Sequence, residues 1–196
     1  MSKSRPALFL DRDGVIIEDR GYVHRLDDIV LLPGAAQTIA RINTLGIPVV
    51  VITNQAGIGR GLYTEADFQA AQRHLARLLS HFDARLDATY FCPHHPEHGK
   101  GAFRVVCECR KPRPGLLRRA AGEMHLDLAR SLMVGDKASD LWAGRAAGCG
   151  AVLVRTGYGA RVETDLARES GAPIWDDVFD SLGAAADFLM TRFREK

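Results

Sequence analysis

Short apolar runs recur along the chain with polar, helix-like stretches between them. ALFL at 7–10, IPVVVIT at 47–53, ATYFC at 88–92, SLMVG at 131–135 and AVLVRT at 151–156 are continuous in polarity, the pattern of strands buried on both faces. A first helix is expected after Pro33-Gly34, running to Leu45-Gly46, where glycine suits the C-terminal cap. A second starts at Thr64, with Asp67 as its capping-box partner, and carries Phe68, Ala71, Leu75, Leu78 and Phe82 on one stripe. Further helices are expected after Pro114, Ser139 and Asp177, and AGIGRG at 56–61 reads as a flexible turn into the Thr64 helix. Strands alternating with helices predict right-handed crossovers and an α/β, Rossmann-like three-layer sandwich with a mostly parallel central sheet. The chain shows no repeat, linker or low-complexity tract, so residues 1–196 are expected to form a single domain.

Composition adds little to that outline but narrows the partners. With 46% hydrophobic and 26% charged residues, the chain suits an ordinary globular domain with a substantial core. A net charge of +2 is too small to argue for a nucleic-acid groove or an anionic membrane surface, and it leaves an acidic small molecule open as substrate. The apolar run before the first acid is only four residues long, shorter than a secretory signal needs, and no stretch approaches the ~20 residues of a membrane span. A cytoplasmic location is therefore expected. In that reducing compartment four cysteines read as metal ligands before disulfides. No long apolar stripe is left over, which favours a monomer.

In a sheet of this kind ligands bind beyond the carboxyl ends of the strands. The first strand is followed by Asp11-Arg12-Asp13-Gly14, the second ends in Thr53-Asn54-Gln55, and the fourth leads to Gly135-Asp136-Lys137 with Asp140 beyond. Lys111 joins them if its loop folds over the edge. Asp11 and Asp13, two residues apart, point to the same side of an extended chain and repel unless a cation or proton intervenes. A hard divalent ion such as magnesium, held by a few carboxylates, phosphate and water, fits this group.

A second constellation lies in CPHHPEHGKGAFRVVCECRKP, residues 92–112. Cys92-x-His94 and Cys107-x-Cys109 offer two close pairs for tetrahedral zinc, with His95 and His98 also within reach. Four protein ligands leave no open position, so this zinc is structural and its binding is part of folding the loop at about 92–109. Cys149, between glycines, reads as a small core residue.

Taken in order, FLDRDGV, the strand ending ITN, the lysine of CRKP and GDKASD resemble the four motifs of the haloacid-dehalogenase-like (HAD) phosphohydrolase superfamily. The resemblance spans most of the chain. It implies that Asp11 is a nucleophile forming an aspartyl-phosphate and that Asp13 serves as general acid and base. It further implies magnesium held by Asp11, Asp136 and the main-chain carbonyl of Asp13, and phosphoryl oxygens gripped by Thr53 and Lys111. Asp140 matches the second acid of the last motif, as a supporting group or a direct contact. The Cys-x-His then Cys-x-Cys pattern is that of a zinc-loop subclass, which implies His94 as the fourth ligand. Within that subclass DRGYVH at 19–24, TNQAGIGRG at 53–61, CPHHP, CRKPRPG and MVGDK resemble the heptose-1,7-bisphosphate 7-phosphatases, with histidinol-phosphate phosphatases as near relatives. Val15 departs from the threonine of many members, in the turn after the acids.

This resemblance implies removal of the 7-phosphate from a sugar bisphosphate, in making nucleotide-activated heptose for lipopolysaccharide core or related glycans. Histidinol-phosphate hydrolysis is the alternative. A non-catalytic zinc-loop binding module would be favoured by loss of a catalytic residue, and Asp11, Asp13, Thr53, Lys111 and Asp136 are all present. The implied substrate contacts are Asp19, Arg20, Gly21, Tyr22, Thr53, Asn54, Gln55, Ala56, Arg110, Lys111 and Lys137. Arg110 suits a second phosphate, because guanidinium presents two donors to it. About 30 residues separate Asp13 from the second strand, too few for a cap domain of ~50 residues, so selectivity is expected from short loops. RTGYGAR at 155–161 follows a strand and lies where it could touch substrate.

Overall fold

The computed structural model describes residues 4–169 and 173–194. The strands are Leu8–Leu10 (β1), Val49–Asn54 (β2), Ala88–Cys92 (β3), Leu132–Gly135 (β4), Gly150–Val154 (β5) and Asp177–Phe179 (β6). The α-helices are Ala35–Thr44 (α1), Ala56–Gly59 (α2), Glu65–Ser80 (α3), Gly115–Met124 (α4), Ala138–Ala147 (α5), Gly159–Glu169 (α6) and Ala186–Arg194 (α7). Among the described residues the strands form one parallel sheet in the order β3-β2-β1-β4-β5-β6. The chain steps outward from β1 to β3, returns to β4 beside β1, and steps outward again. This reversal opens a crevice at the carboxyl ends of β1 and β4, where the loops leave toward opposite faces.

Side-chain alternation builds the two outer layers. Leu8, Leu10, Val49, Val51 and Val134 join Ile39 and Ile42 of α1, Leu75 of α3 and Leu189 of α7 in one cluster. Phe9, Val50, Ile52 and Met133 turn the other way and meet Leu116, Leu117 and Ala120 of α4. β1 is only three residues long, yet it is paired on both edges and all three side chains are 0% exposed. Burial at about 1.5–3 kcal/mol per large apolar side chain holds so short a strand at the centre.

Most predicted elements stand. The Thr64 capping box is formed, with the Thr64 hydroxyl accepting from Asp67 N at 3.1 Å and the Asp67 carboxylate accepting from Thr64 N at 2.8 Å. Phe68, Ala71 and Leu75 are buried as expected, but Phe82 is 43% exposed and Leu79 takes its place in the core. The reason is local: α3 stops at Ser80, and Phe82 sits in the closing turn with its N–H on Leu79 O. The segment 56–61 is not a flexible turn. Its first four residues form α2 and are buried, and a Cβ on Gly57 or Gly59 would strike the Tyr63 ring or the Pro93 carbonyl. Those glycines serve close approach. After Asp177 the chain enters β6 before the expected helix, α7. A three-residue, half-buried edge strand leaves too short an apolar run to be read. The helix α6 likewise leaves no apolar stripe in the sequence, since only Val162 and Leu166 turn toward the core from a charged segment.

Candidate active site and metal-binding loop

At the crevice, Asp11 follows β1 directly and its N–H still donates to Val134 O at 3.0 Å, so the sheet ladder aims its side chain. One carboxylate oxygen, Oδ1, accepts from Arg12 N at 2.8 Å and from Lys111 Nζ at 2.9 Å. Lys111 is 3% exposed; its Nζ also lies 2.6 Å from Asp140 Oδ1 and donates to Ile52 O at 2.6 Å. Asn54 at the end of β2 clasps the main chain of Lys111, donating to its carbonyl and accepting from its N–H, both at 3.1 Å. A residue on a distant loop is thereby placed beside the first strand.

Asp136, at the end of β4, is 0% exposed. Its Oδ2 accepts from Tyr158 N at 2.9 Å, while Oδ1 lies 3.5 Å from Lys137 Nζ. Gly14 (φ +88°) and Gly157 (φ +58°) flank that carboxylate, and a Cβ on either would collide with it. Thr156 Oγ1 closes the loop by donating to Gly14 O at 2.6 Å. Lys137 bridges outward to Asp19 at 2.9 Å, and the Gln55 amide donates to both Thr53 Oγ1 at 2.8 Å and Asp13 Oδ2 at 3.2 Å.

The charges explain what this arrangement can hold. Burial opposes ionisation of Asp11, yet Lys111 and then Lys137 hold its carboxyl below the usual carboxylate range. Burial pushes Asp136 up to about 7, against the pull of Lys137 and with Asp11 and Asp140 adding repulsion. Asp140 and Asp13 are also raised by burial, outweighing Lys111 and Arg12 respectively. Burial works against the charge on Lys111, but Asp11 and Asp140 raise it above an ordinary lysine. Within this contact network five carboxylates (Asp11, Asp13, Asp19, Asp136 and Asp140) face three cations (Arg12, Lys111 and Lys137). One divalent ion would balance the excess. Oxygens of Asp11, Asp136 and Asp140 lie within 4.8 Å of one another, so an oxygen-liganded ion such as magnesium fits both the charge and the donor set.

A cavity of about 410 Å³ opens above these groups. Of the residues singled out in the sequence, Asp11, Asp13, Asp19, Gly21, Tyr22, Thr53, Asn54, Gln55, Ala56, Arg110, Lys111 and Lys137 line it, with Asp136 buried beneath. Arg20 does not. Asp19 Oδ1 accepts from Gly21 N at 3.0 Å, and the turn this makes leaves Arg20 outside, paired with Glu18 at 2.7 Å. The cavity adds Arg12, Tyr63, His95, Ser139 and Tyr158. Tyr158 lies in the 155–161 segment already marked by its position after a strand, whereas Arg12 and Tyr63 carried no local signal. A prediction arises at Gly157: Gly157→Ala forces a Cβ into the Asp136 carboxylate at positive φ and is expected to cost about 1–3 kcal/mol. Thermal melts should show it, and a parental melting temperature would mean that the 155–161 loop does not press on Asp136.

Four donors converge in the second constellation. Cys109 Sγ lies 3.2 Å from both Cys92 Sγ and Cys107 Sγ and 3.2 Å from His94 Nδ1, and Cys92 Sγ lies 3.6 Å from Cys107 Sγ. Tetrahedral zinc with ~2.3 Å bonds to sulfur needs sulfurs ~3.7 Å apart, so the set is arranged for that ion with only a slight opening. His95 is turned away, its Nδ1 accepting from Glu97 N and His98 N at 3.2 and 3.1 Å, which leaves His94 as the converging imidazole. The loop is stitched to α2 by Gly59 N on Pro93 O and Lys100 N on Gly59 O. It also presents Arg110, which donates to His94 O at 3.1 Å, to the cavity. Cys149 is buried among apolar residues, as expected.

Comparison with known proteins agrees with this geometry. A family model described as HAD-hydrolase-like matches residues 108–185. The D-glycero-beta-D-manno-heptose-1,7-bisphosphate 7-phosphatase of Escherichia coli (strain K12) is 45% identical over 170 residues, covering 86% of this chain and 89% of that protein. The protein of the same name from Vibrio cholerae is 43% identical over 155 residues, covering 79% and 83%. Among solved structures, D,D-heptose 1,7-bisphosphate phosphatase from B. bronchiseptica, complexed with magnesium and phosphate, superposes with a TM-score of 0.84 at 36% identity, covering 95% of this chain and 98% of that one. With the Asp11–Asp13 turn, the lysine clasp, the acid cluster and the zinc-type loop in one molecule, the chain belongs to the D-glycero-beta-D-manno-heptose-1,7-bisphosphate 7-phosphatase family of HAD-like hydrolases.

Proposed function

We propose that this chain is a magnesium-dependent phosphatase that removes the 7-phosphate from D-glycero-D-manno-heptose 1,7-bisphosphate, leaving heptose 1-phosphate for nucleotide-activated heptose synthesis. The observation that carries the reading is the meeting of Asp11, Asp13, Thr53 and Lys111 at one cavity, over the buried carboxylate of Asp136. Asp11 Oδ1 is engaged by Lys111 and Arg12 N, so Oδ2, which lies 4.0 Å from Lys137 Nζ, is the oxygen left to attack phosphorus. As the bond from Oδ2 to phosphorus forms, the bond from phosphorus to the sugar oxygen breaks, and Asp13 gives that oxygen its proton. Asp13 then takes a proton from water, which attacks phosphorus and displaces Asp11, releasing inorganic phosphate. Thr53 Oγ1 and Lys111 Nζ serve as donors to the phosphoryl oxygens as their charge redistributes.

Asp11, Asp136 and the main-chain carbonyl of Asp13 would hold magnesium, which when bound supplies positive charge beside the transferring group. Asp19, Gly21, Tyr22, Asn54, Gln55, Ala56 and Lys137 surround the sugar, and Arg110 meets the second phosphate. Arg20 is left out of this set because of its outward turn. A cavity of about 410 Å³ is of a size for one small bisphosphate. The reading includes a cytoplasmic monomer. A reducing compartment keeps the zinc thiolates available, and no helix among the described residues is long and apolar enough to cross a membrane.

The test is phosphate release with magnesium, comparing kcat/KM for the α and β anomers of the heptose bisphosphate with histidinol phosphate. The names of the relatives support a preference for the β anomer, expected at a hundredfold or more, about 2.7 kcal/mol of transition-state discrimination. Equal or faster hydrolysis of histidinol phosphate would move the protein to that substrate and remove the second phosphate from Arg110.

A further inference from the structure

Arg12 stands between two acids in a turn, where an arginine is usually solvated, yet it is 1% exposed. Its Nε donates to Asp13 Oδ2 at 3.0 Å and its Nη2 to Asp13 Oδ1 at 2.9 Å, a two-point grip that fixes the plane of the carboxylate. The same Nη2 donates to Val23 O at 2.7 Å, Nη1 reaches Gln72 Oε1 at 3.4 Å, and the guanidinium lies 5.4 Å from the Phe68 ring centre. Val23 belongs to the 19–24 segment, which brings Asp19, Gly21 and Tyr22 to the cavity.

A second route runs from that segment back to Asp13. His24 stacks on Tyr63 at 4.6 Å and 11°, and Tyr63 Oη donates to Gln55 Oε1 at 2.6 Å. Gln55 Nε2 then donates to Asp13 Oδ2 at 3.2 Å. The contacts therefore close a ring: Asp13, Arg12, the 23–24 backbone, Tyr63, Gln55 and Asp13 again.

We infer that Arg12 is a positioning residue, which with Tyr63 and Gln55 ties the proton-transferring carboxylate of Asp13 to the 19–24 loop. Seating a sugar against that loop and aiming the proton at its leaving oxygen are then one event. Displacing Arg12 frees the carboxylate plane and loosens the Val23 anchor together, whereas a neutral apolar residue of similar length fills the space without either grip. This inference rests on the role proposed above for Asp13.

The experiment is single-turnover release of the leaving group by the zinc- and magnesium-loaded enzyme. It compares heptose 1,7-bisphosphate, whose sugar oxygen needs a proton to depart, with p-nitrophenyl phosphate, whose phenolate leaves without one. Arg12→Lys keeps the charge but cannot grip two oxygens and Val23 O at once. It is expected to slow sugar release at least about tenfold more than nitrophenolate release, a part of the ~10²–10⁴ that general acid catalysis supplies. Tyr63→Phe removes one hydroxyl on the other side of the ring and is expected to shift the same ratio in the same direction, which keeps the inference testable should Arg12→Lys not fold. Equal slowing of the two leaving groups in these variants would overturn it in favour of a structural role. Asp13→Asn separates the two levels. If Asp13→Asn shows no dependence on the leaving group, the proposed chemistry fails; if it does while Arg12→Lys and Tyr63→Phe do not, only the positioning inference fails.

Discussion

Asp11→Asn is expected to abolish turnover while leaving the fold and the zinc loop intact. The substitution is nearly isosteric and removes the anionic oxygen proposed to attack phosphorus, and loss of a nucleophile in a covalent mechanism costs up to about 10⁶ in kcat. The native state can absorb the change. Lys111 keeps Asp140 at 2.6 Å and Ile52 O at 2.6 Å, so the buried lysine does not become an unpaired charge. Asp136 and Asp140 also lose a like-charged neighbour, which relieves the repulsion that helps raise Asp136 to about 7. Thermal melts within a few degrees of the parent and unchanged zinc content, together with undetectable phosphate release, are the expected result. Release at the parental rate would overturn the assignment of Asp11 as nucleophile, and a collapsed melt would show that its charge is needed for folding.

Replacing Cys107 with serine is expected to act through stability first. The 93–109 segment places few residues in the main clusters and leaves Phe103, Val105 and Val106 exposed, so it has little apolar burial of its own to order it. Isolated zinc modules gain about 10–16 kcal/mol from the metal. Here the sheet has buried clusters built mostly from residues outside the loop, so only part of that gain is expected to couple to the global transition. A loss of ~3 kcal/mol would lower the melting temperature by roughly 6–12 °C for a chain of this size. Zinc measured on the purified variant should fall in step. None of the four loop ligands takes part in the Asn54 clasp on Lys111, so catalysis in the variant that remains folded is expected to fall less than in Asp11→Asn. A variant that keeps full zinc and the parental melt would remove the structural role from this cluster.

Much of the fold was legible because the rules involved are local. β1, β2, β4 and β5 are buried on both faces and read as apolar runs, while β3, the edge strand, reads as an apolar run although three of its five residues are only half-buried; the Thr64 box and the Gly46 cap mark helix ends by chemistry within a few residues of each other. β6 and α6 leave no such mark, because their apolar contacts are few and come from the far edge of the sheet. The glycines of 56–61 depart from the expected flexible turn for a related cause. A glycine that permits a turn and one that admits a neighbour's ring look alike until the Tyr63 ring and the Pro93 carbonyl are in place.

The same division runs through the site. Residue identity and order by themselves determined which groups could do the chemistry: acids at 11, 13 and 136, a hydroxyl at 53, a lysine at 111, and thiols with an imidazole at metal-ligand spacing. Short-range covalent geometry and strand ends suffice for that, because a strand delivers whatever follows it to the crevice. Only the tertiary structure decided which atoms meet. The clasp of Asn54 on Lys111, the Gly14 and Gly157 walls around Asp136, the outward turn of Arg20 and the burial of Arg12 all depend on contacts between segments brought together by the β1–β4 reversal. Hydrogen-bond direction and desolvation are set by those distant neighbours, and no spacing along a single chain encodes them.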